Sequence, residues 1–302
     1  MKVASIGECM IEFSQTPDGA FRRGFGGDTL NTAVYLARLG GRVDYVTALG
    51  DDAWSDEMFC AWRAEGVGTD RVLRLPGRMP GLYLIQTDAK GERRFSYWRD
   101  SAPARDLFRI AQTGALLDAL ASYDLIYFSG ITLSLYGEDG RTTFFEGLDR
   151  AKASGSRLAF DTNFRPRGWP DREIARRAFG GALARADIAL CSTEDLEMLF
   201  EQPACDALAP FGGIPELVLK EQTPGCRLVY DGIVVHVPAE SVADVVDTTA
   251  AGDSFAAAYL WARTGGASPP DAARAGHRLA GTVVRYPGAI IPRAAMPVFE
   301  RW

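Results

Sequence analysis

Arg157-Leu158-Ala159-Phe160-Asp161-Thr162-Asn163-Phe164-Arg165-Pro166-Arg167 opens the part of the chain whose reading decides the fold. The run at 157–161 is short, apolar at its centre and followed by a polar turn, which predicts a buried strand. Residues 172–186 then carry a helical pattern, 188–191 a second apolar run, and 193–200 a second helix. Working outward, strands are expected at 125–128 and 3–6, the latter ended by Gly7, and at 42–49. Late strands are expected at 217–220, 227–230 and 233–237. Helices are expected at 29–39, 52–65, 141–153, 252–264 and 269–284. Leu30, Ala33, Val34 and Ala37 share one face of the first helix, Asp28 stands where a cap belongs, and Gly40-Gly41 ends it. Strands alternating with helices predict a mostly parallel sheet covered on both faces. One segment breaks the rhythm. Residues 81–87 and 93–99 are β-rich runs around a glycine-containing turn at 88–92, a hairpin signal. A small sheet inserted over an open α/β core would suit a lid.

Composition narrows the function. The chain has 302 residues, 47% hydrophobic and 24% charged, as in ordinary globular proteins. A net charge of −6 argues against a nucleic-acid surface, and no apolar run approaches a membrane span. The five cysteines, Cys9, Cys60, Cys191, Cys205 and Cys226, have no metal-ligand spacing, which suits reduced thiols in a cytoplasmic protein. His236 falls in an alternating strand and reads as structural.

The chemistry is concentrated in Asp247-Thr248-Thr249-Ala250-Ala251-Gly252-Asp253. Small residues let backbone N–H groups approach an anion, and a helix start adds partial positive charge. A carboxylate at the same helix start would repel that anion unless it takes a proton from a hydroxyl beside it. That combination suggests phosphoryl transfer to an alcohol. A tight turn capped by Thr or Asp is the plainer explanation. A second loop, Gly26-Gly27-Asp28-Thr29-Leu30-Asn31, can bind sugar-like hydroxyls or serve as an N-cap. In the opening stretch, Arg165 lies just beyond a strand end, where open α/β sheets bind ligands, and suits a carboxylate or phosphate; a solvated loop is the alternative. Tyr97 and Arg99 share one strand face, with Tyr83 on the partner strand, and could hold a hydroxy acid or anchor a self-associating sheet. His277, on the final helix, is open to core packing or nucleotide contact.

Together these motifs resemble the ribokinase-like carbohydrate kinases, the PfkB family. The Gly-Gly-Asp-x-x-Asn loop at 26–31 and the Asp-Thr-x-Ala-Ala-Gly-Asp loop at 247–253 match its two signatures. Within it, the chain is most similar to the 2-keto-3-deoxygluconate kinases, through Ile6-Gly7-Glu8-Cys9-Met10-Ile11-Glu12, Pro80-Gly81-Leu82-Tyr83, Tyr97-Trp98-Arg99 and Gly288-Ala289-Ile290-Ile291-Pro292-Arg293. The resemblance implies a three-layer α/β/α sandwich in one domain over residues 1–302, with lid strands at about 9–25 and 80–100. It implies ATP and Mg²⁺ as cofactors and phosphorylation of the terminal hydroxyl of 2-dehydro-3-deoxy-D-gluconate. A kinase of another sugar such as fructose, or a non-catalytic sugar-acid sensor, is the alternative. Asp253 is then the base, and the N–H groups of Ala250, Ala251, Gly252 and Asp253 form the anion hole. Gly26, Gly27, Asp28 and Asn31 bind sugar; Tyr83, Tyr97, Arg99 and Arg165 contact the keto acid, with both arginines at its carboxylate. Ser192, Lys220, Gly225, Gly252 and His277 fall in the nucleotide region. Two departures stand out. Ala250 replaces a usual glycine. Ser192-Thr193-Glu194-Asp195 replaces a usual Asn-x-x-Glu, leaving Asp195 and Asp247 as indirect magnesium contacts. The expected partners are a sugar acid, ATP and, through the lid sheet, further copies of the chain.

Overall fold

A computed structural model describes residues 1–300 except 17, 88–92 and 222–223. The N-terminal part runs β1 (Lys2–Ile6), β2 (Met10–Gln15), β3 (Phe21–Gly26), α1 (Asp28–Arg38), β4 (Arg42–Leu49), α2 (Ala53–Ala64), β5 (Val72–Arg74), β6 (Leu82–Thr87) and β7 (Arg93–Trp98). It continues through α3 (Thr113–Leu120), β8 (Leu125–Ser129), α4 (Gly130–Leu135), α5 (Glu138–Ala153), β9 (Arg157–Asp161), α6 (Arg172–Leu183), β10 (Ile188–Ser192), α7 (Thr193–Phe200) and α8 (Ala204–Leu208). β11 (Glu216–Lys220), β12 (Gly225–Tyr230), β13 (Ile233–Pro238), α9 (Ala251–Gly265) and α10 (Pro269–Val283) complete it.

Among the described residues the large sheet has the order β13-β12-β11-β10-β9-β8-β1-β4-β5. It is parallel from β11 to β5, and β12 and β13 add an antiparallel edge. The chain leaves β1 toward β4 and β5, then returns to the other side through β8, β9, β10 and β11. The switch therefore falls between β1 and β8, and a crevice opens beyond the carboxyl ends of those strands. Alternation along the strands feeds two cores. Val3 joins one with α1, α9 and α10, while Ala4 and Ile6 join the other with α3 to α8. This is the expected α/β/α sandwich.

The second sheet has the order β3-β2-β6-β7. Phe13, Phe25 and Leu82 pack from one of its faces against the first core. Tyr83, Phe95 and Tyr97 stack along the opposite face, with ring centroids 5.9 to 6.5 Å apart. The hairpin turn at 88–92 lies outside the described residues.

Three readings needed correction. Asp28 does not cap α1: Gly27 occupies the cap position, with no side-chain cap bond. The Asp28 carboxylate turns instead to the switch crevice. The helix at α9 is not capped by Thr or Asp either, because its cap residue is Ala250 in a left-handed conformation, φ 61°. Helices α3, α4 and α8, five to eight residues each, were not expected at all; such lengths give too few turns for a clear apolar stripe.

Candidate active site

The crevice is lined by residues that follow strand ends: Glu8 after β1, Ser129 ending β8, Asp161 ending β9, Ser192 ending β10 and Lys220 ending β11. α1 and α9 point their N-termini into it. Asn31 Nδ2 donates to Asp253 Oδ2 at 2.8 Å, and Thr32 Oγ1 donates to the Asp253 carbonyl at 3.1 Å. The two signature loops, more than two hundred residues apart, therefore meet at one carboxylate. Asp28 Oδ2 accepts from Ser129 Oγ at 2.5 Å and from Asn163 Nδ2 at 2.9 Å. Neither Ser129 nor Asn163 was singled out from sequence. The signal for Asn163 was its place in the turn after β9; its φ of 28° marks a backbone held against its preference.

The acidity of Asp253 is strongly altered at this site. Burial, then the charge of Asp28, push its pKa up to about 7; the Asn31 bond and Lys220 pull the other way. A carboxyl group that titrates near neutrality suits a general base. Among the described residues no acceptor lies on the N–H groups of Ala250, Gly252 or Asp253. They are the unsatisfied donors of a helix start and face an anion's natural position. The expected fourth donor is different: Ala251 N–H closes the turn onto the Thr248 carbonyl at 3.2 Å.

Lys220 supplies positive charge to the same loop. Its Nζ lies 3.8 Å from the point a Cβ on Gly252 would occupy. It also pairs with Asp161, at 3.1 and 3.3 Å. Burial works against the ammonium, but Asp161 and Asp195 outweigh it and raise its pKa. Asp161 is buried, and its own pKa is raised by burial against the opposing pull of Lys220.

Asp247 builds the loop. Oδ1 accepts from Thr249 N at 2.9 Å and Thr249 Oγ1 at 2.7 Å, and Oδ2 from Gly288 N at 2.9 Å. Gly288–Arg293 is in turn tied to α1, where Tyr35 donates to the Ala289 carbonyl at 2.7 Å. Asp195 accepts from Thr162 Oγ1 at 2.9 Å and lies 3.8 Å from Arg165. Ser192 caps α7 by accepting from Asp195 N at 3.4 Å. Among the described residues no group of three or more metal-binding side chains comes together. Gly225, with φ 148°, packs where a Cβ would meet His236 and the Val237 carbonyl. His277 lies 5.0 Å from the Phe255 ring, with Nε2 buried and unpartnered.

A cavity of about 1550 Å³ runs from Gly27 and Asp28 under the second sheet to Trp169. Tyr97, Arg99 and Arg165 line it, as do Glu8, Arg105 and Tyr136, whereas Gly26, Asn31 and Tyr83 do not. The Tyr83 hydroxyl donates to Glu12 and occupies the space a side chain on Gly26 would need. Burial, reinforced by Glu12, raises the Tyr83 pKa, so it stays a phenol. Arg99 is not free: it forms an ion pair with the buried Glu8. Arg165 is largely exposed and donates to the Phe164 carbonyl at 2.8 Å.

Comparison with known proteins agrees with this geometry. Residues 1–296 match the pfkB family of carbohydrate kinases. A 2-dehydro-3-deoxygluconokinase of Dickeya dadantii (strain 3937) is 46% identical over 306 residues, spanning 98% of each chain. One from Escherichia coli (strain K12) is 44% identical over 307 residues, spanning 98% of this chain and 99% of the other. The crystal structure of a fructokinase with bound ATP from Xylella fastidiosa superposes with a TM-score of 0.85 at 27% identity, covering 98% of this chain and 95% of that one. With both signature loops converging on Asp253 and the family match spanning nearly its whole length, this chain belongs to the pfkB family of carbohydrate kinases.

Proposed function

We propose that the protein is an ATP-dependent 2-dehydro-3-deoxygluconokinase that transfers a phosphoryl group to the terminal hydroxyl of 2-dehydro-3-deoxy-D-gluconate, giving the 6-phosphate. The carrying observation is the Asp253 carboxyl, raised to about 7 beside unpartnered helix N–H groups and Lys220, and close to Asp28, which lines a cavity rich in guanidinium groups. The names of the relatives at 44% and 46% identity support this substrate.

The substrate hydroxyl loses its proton to Asp253 as its oxygen bonds to the γ-phosphorus. The bond from that phosphorus to the β,γ-bridging oxygen breaks, and ADP leaves. Asn31 holds the Asp253 carboxylate in place. The N–H groups of Ala250, Gly252 and Asp253 and the Lys220 ammonium stabilise charge on the transferring group. Lid residues Tyr97 and Arg99 cover the sugar and exclude water. The donor set fits a nucleotide triphosphate: an open helix start, a lysine beside it, and the unpartnered Nε2 of His277. It does not build a protein cage for magnesium, since Asp195 and Asp247 are engaged by Thr162, Thr249 and Gly288. Mg²⁺ would be held by nucleotide phosphates and water, reaching those carboxylates indirectly, and would neutralise phosphate charge. The chain works as one kinase domain, in the cytoplasm, and self-associates through its lid sheet.

A coupled ADP-release assay across keto-deoxy sugar acids and neutral ketoses tests the proposal. 2-Dehydro-3-deoxy-D-gluconate should have the highest kcat/KM, with preference for fructose overturning the acid assignment. Asp253→Asn should lower kcat by on the order of 10²- to 10⁴-fold with ATP binding retained. Near-normal turnover in that variant removes Asp253 as the base.

A further inference from the structure

Asp28 stands in the first turn of α1 and lines the cavity. The backbone of that turn is held from below, where Ser5 Oγ donates to the Thr29 carbonyl at 2.8 Å. The Asp28 carboxylate is not fixed by its own chemistry, because the terminal torsion of an aspartate is broad and roughly two-fold. Its neighbours choose which oxygen is left for a ligand. Both protein donors, Ser129 Oγ at 2.5 Å and Asn163 Nδ2 at 2.9 Å, meet the same oxygen, Oδ2. Among the described residues Oδ1 accepts no hydrogen bond.

The Ser129 hydroxyl is itself pinned. Ser129 and Thr132 are both fully buried. Thr132 Oγ1 donates to the Ile6 carbonyl at 2.8 Å and accepts from the Ser129 N–H at 3.1 Å. The Thr132 N–H donates to Ser129 Oγ at 3.2 Å. A hydroxyl has one proton to give. That of Thr132 goes to Ile6 at the end of β1, so Ser129 accepts from the α4 backbone and gives its own proton to Asp28. A capping box requires only the acceptor side of that hydroxyl. The donor side reaches across 101 residues to the cavity. Gly130 lets this corner close on the turn after β9, since a Cβ there would lie 2.1 Å from the Thr162 carbonyl. The ends of β1, β8 and β9 are thus tied to one carboxylate oxygen.

Resting on the sugar-kinase reading above, we propose that Ser129 is a positioning residue: braced by Thr132, it holds Asp28 Oδ2 so that Oδ1 faces the cavity and accepts from a hydroxyl of the sugar. Asn163 shares the task, but its φ of 28° ties its identity to the turn as well. Ser129 has extended backbone that any residue adopts, φ −129° and ψ 174°, so its hydroxyl can be removed alone. Without it one donor remains on Oδ2 and the carboxylate is free to turn, which weakens its bond to the sugar. The loss falls on the sugar rather than on ATP, whose phosphates meet α9 and Lys220. Among the described residues neither of these is hydrogen-bonded to the Ser129 side chain.

Steady-state kinetics of Ser129→Ala and Ser129→Gly, each made in the wild-type and the Asp28→Ala background, test the role. The pH is 8, above the titration of Asp253 at about 7. The sugar is the one the wild type phosphorylates best, so a preference for fructose overturns the acid assignment without touching Ser129. Ser129→Ala should raise the sugar KM about 5- to 10-fold, the loss of a hydrogen bond to a charged group softened by the donor that remains. kcat should fall less than about threefold, and the KM for ATP should stay within about twofold. In the Asp28→Ala background the same change should raise the sugar KM less than about twofold, because Ser129 then has no carboxylate to hold. A merely structural serine would act by the same factor in both backgrounds, and that result overturns the proposal. So does an unchanged sugar KM in Ser129→Ala, or an equal rise in the KM for ATP. Glycine keeps most of a cap's stability, so Ser129→Gly should repeat these values. Should Ser129→Ala not fold, an unchanged sugar KM in Ser129→Gly refutes the positioning role. A wild type that phosphorylates no sugar removes the kinase reading and the positioning role together.

Discussion

At Ala250 a side chain sits where the backbone favours glycine. Its φ of 61° puts a Cβ in the left-handed region, at a cost of about 1 kcal/mol. Ala250→Gly should therefore stabilise the fold by up to about 0.5 kcal/mol, after the larger unfolded-state freedom of glycine is counted. Calorimetry should show a rise in Tm, and turnover should change little because the N–H remains. A lowered Tm would mean that the loop depends on the alanine methyl. Asp253 carries a pH signature of its own. Its folded pKa is about 7, against 3.8 for an ordinary aspartate, so folding disfavours its ionised form. The stability it contributes is present below the unfolded pKa and lost as pH rises through about 7. Asp253→Asn, which cannot ionise, should be more stable than wild type at pH 8 by up to about 4 kcal/mol, with the difference vanishing toward pH 4. Activity runs the opposite way: wild-type kcat/KM should rise with pH to a plateau above about 7, a limb the asparagine variant lacks. Denaturant melts and rate profiles over the same pH range check both signs.

At the scale of elements, the strand ends do most of the positioning, and Lys220 links two of them. It ends β11 and pairs with Asp161 at the end of β9. Lys220→Met leaves a buried, unpaired carboxylate and should cost about 3–5 kcal/mol. The double variant Lys220→Met with Asp161→Asn should regain most of that stability, but not the affinity for ATP, if the ammonium also serves the phosphates. Recovery of both would reduce Lys220 to a structural partner. The same elements show what sequence could reveal. The parallel strands from β11 to β4 were legible because fully buried strands give continuous apolar runs. The two signature loops were legible because glycine, small residues and a carboxylate at a helix start form an unusual combination. Their meeting at the Asn31–Asp253 bond was not legible from spacing, since it depends on the crossover between β1 and β8. Arg99 showed its residue type and its strand face, but not that Glu8 already occupies it.

At the scale of the molecule, the lid sheet exposes more apolar surface than a free surface tolerates well. Trp98 is 60% and Phe21 43% exposed, on the two edge strands β7 and β3 of one small sheet. Exposed edges with aromatic side chains favour pairing with another chain, and a closed two-fold pairing would cover both copies at once. The face carrying Tyr97 also roofs the cavity, so self-association would stiffen the roof over the sugar. Light scattering should accordingly find the wild type as a dimer or a larger closed assembly. Trp98→Asp places a charge in that contact and should shift the protein to monomer, weakening association by on the order of 100-fold. If lid stiffness matters for catalysis, the monomeric variant should show a raised KM for the sugar with the KM for ATP nearly unchanged, because the α9 loop and Lys220 stand on the large sheet. A wild type that stays monomeric would refute this pairing of the edge strands. Retention of normal sugar KM in a proven monomer would separate assembly from catalysis.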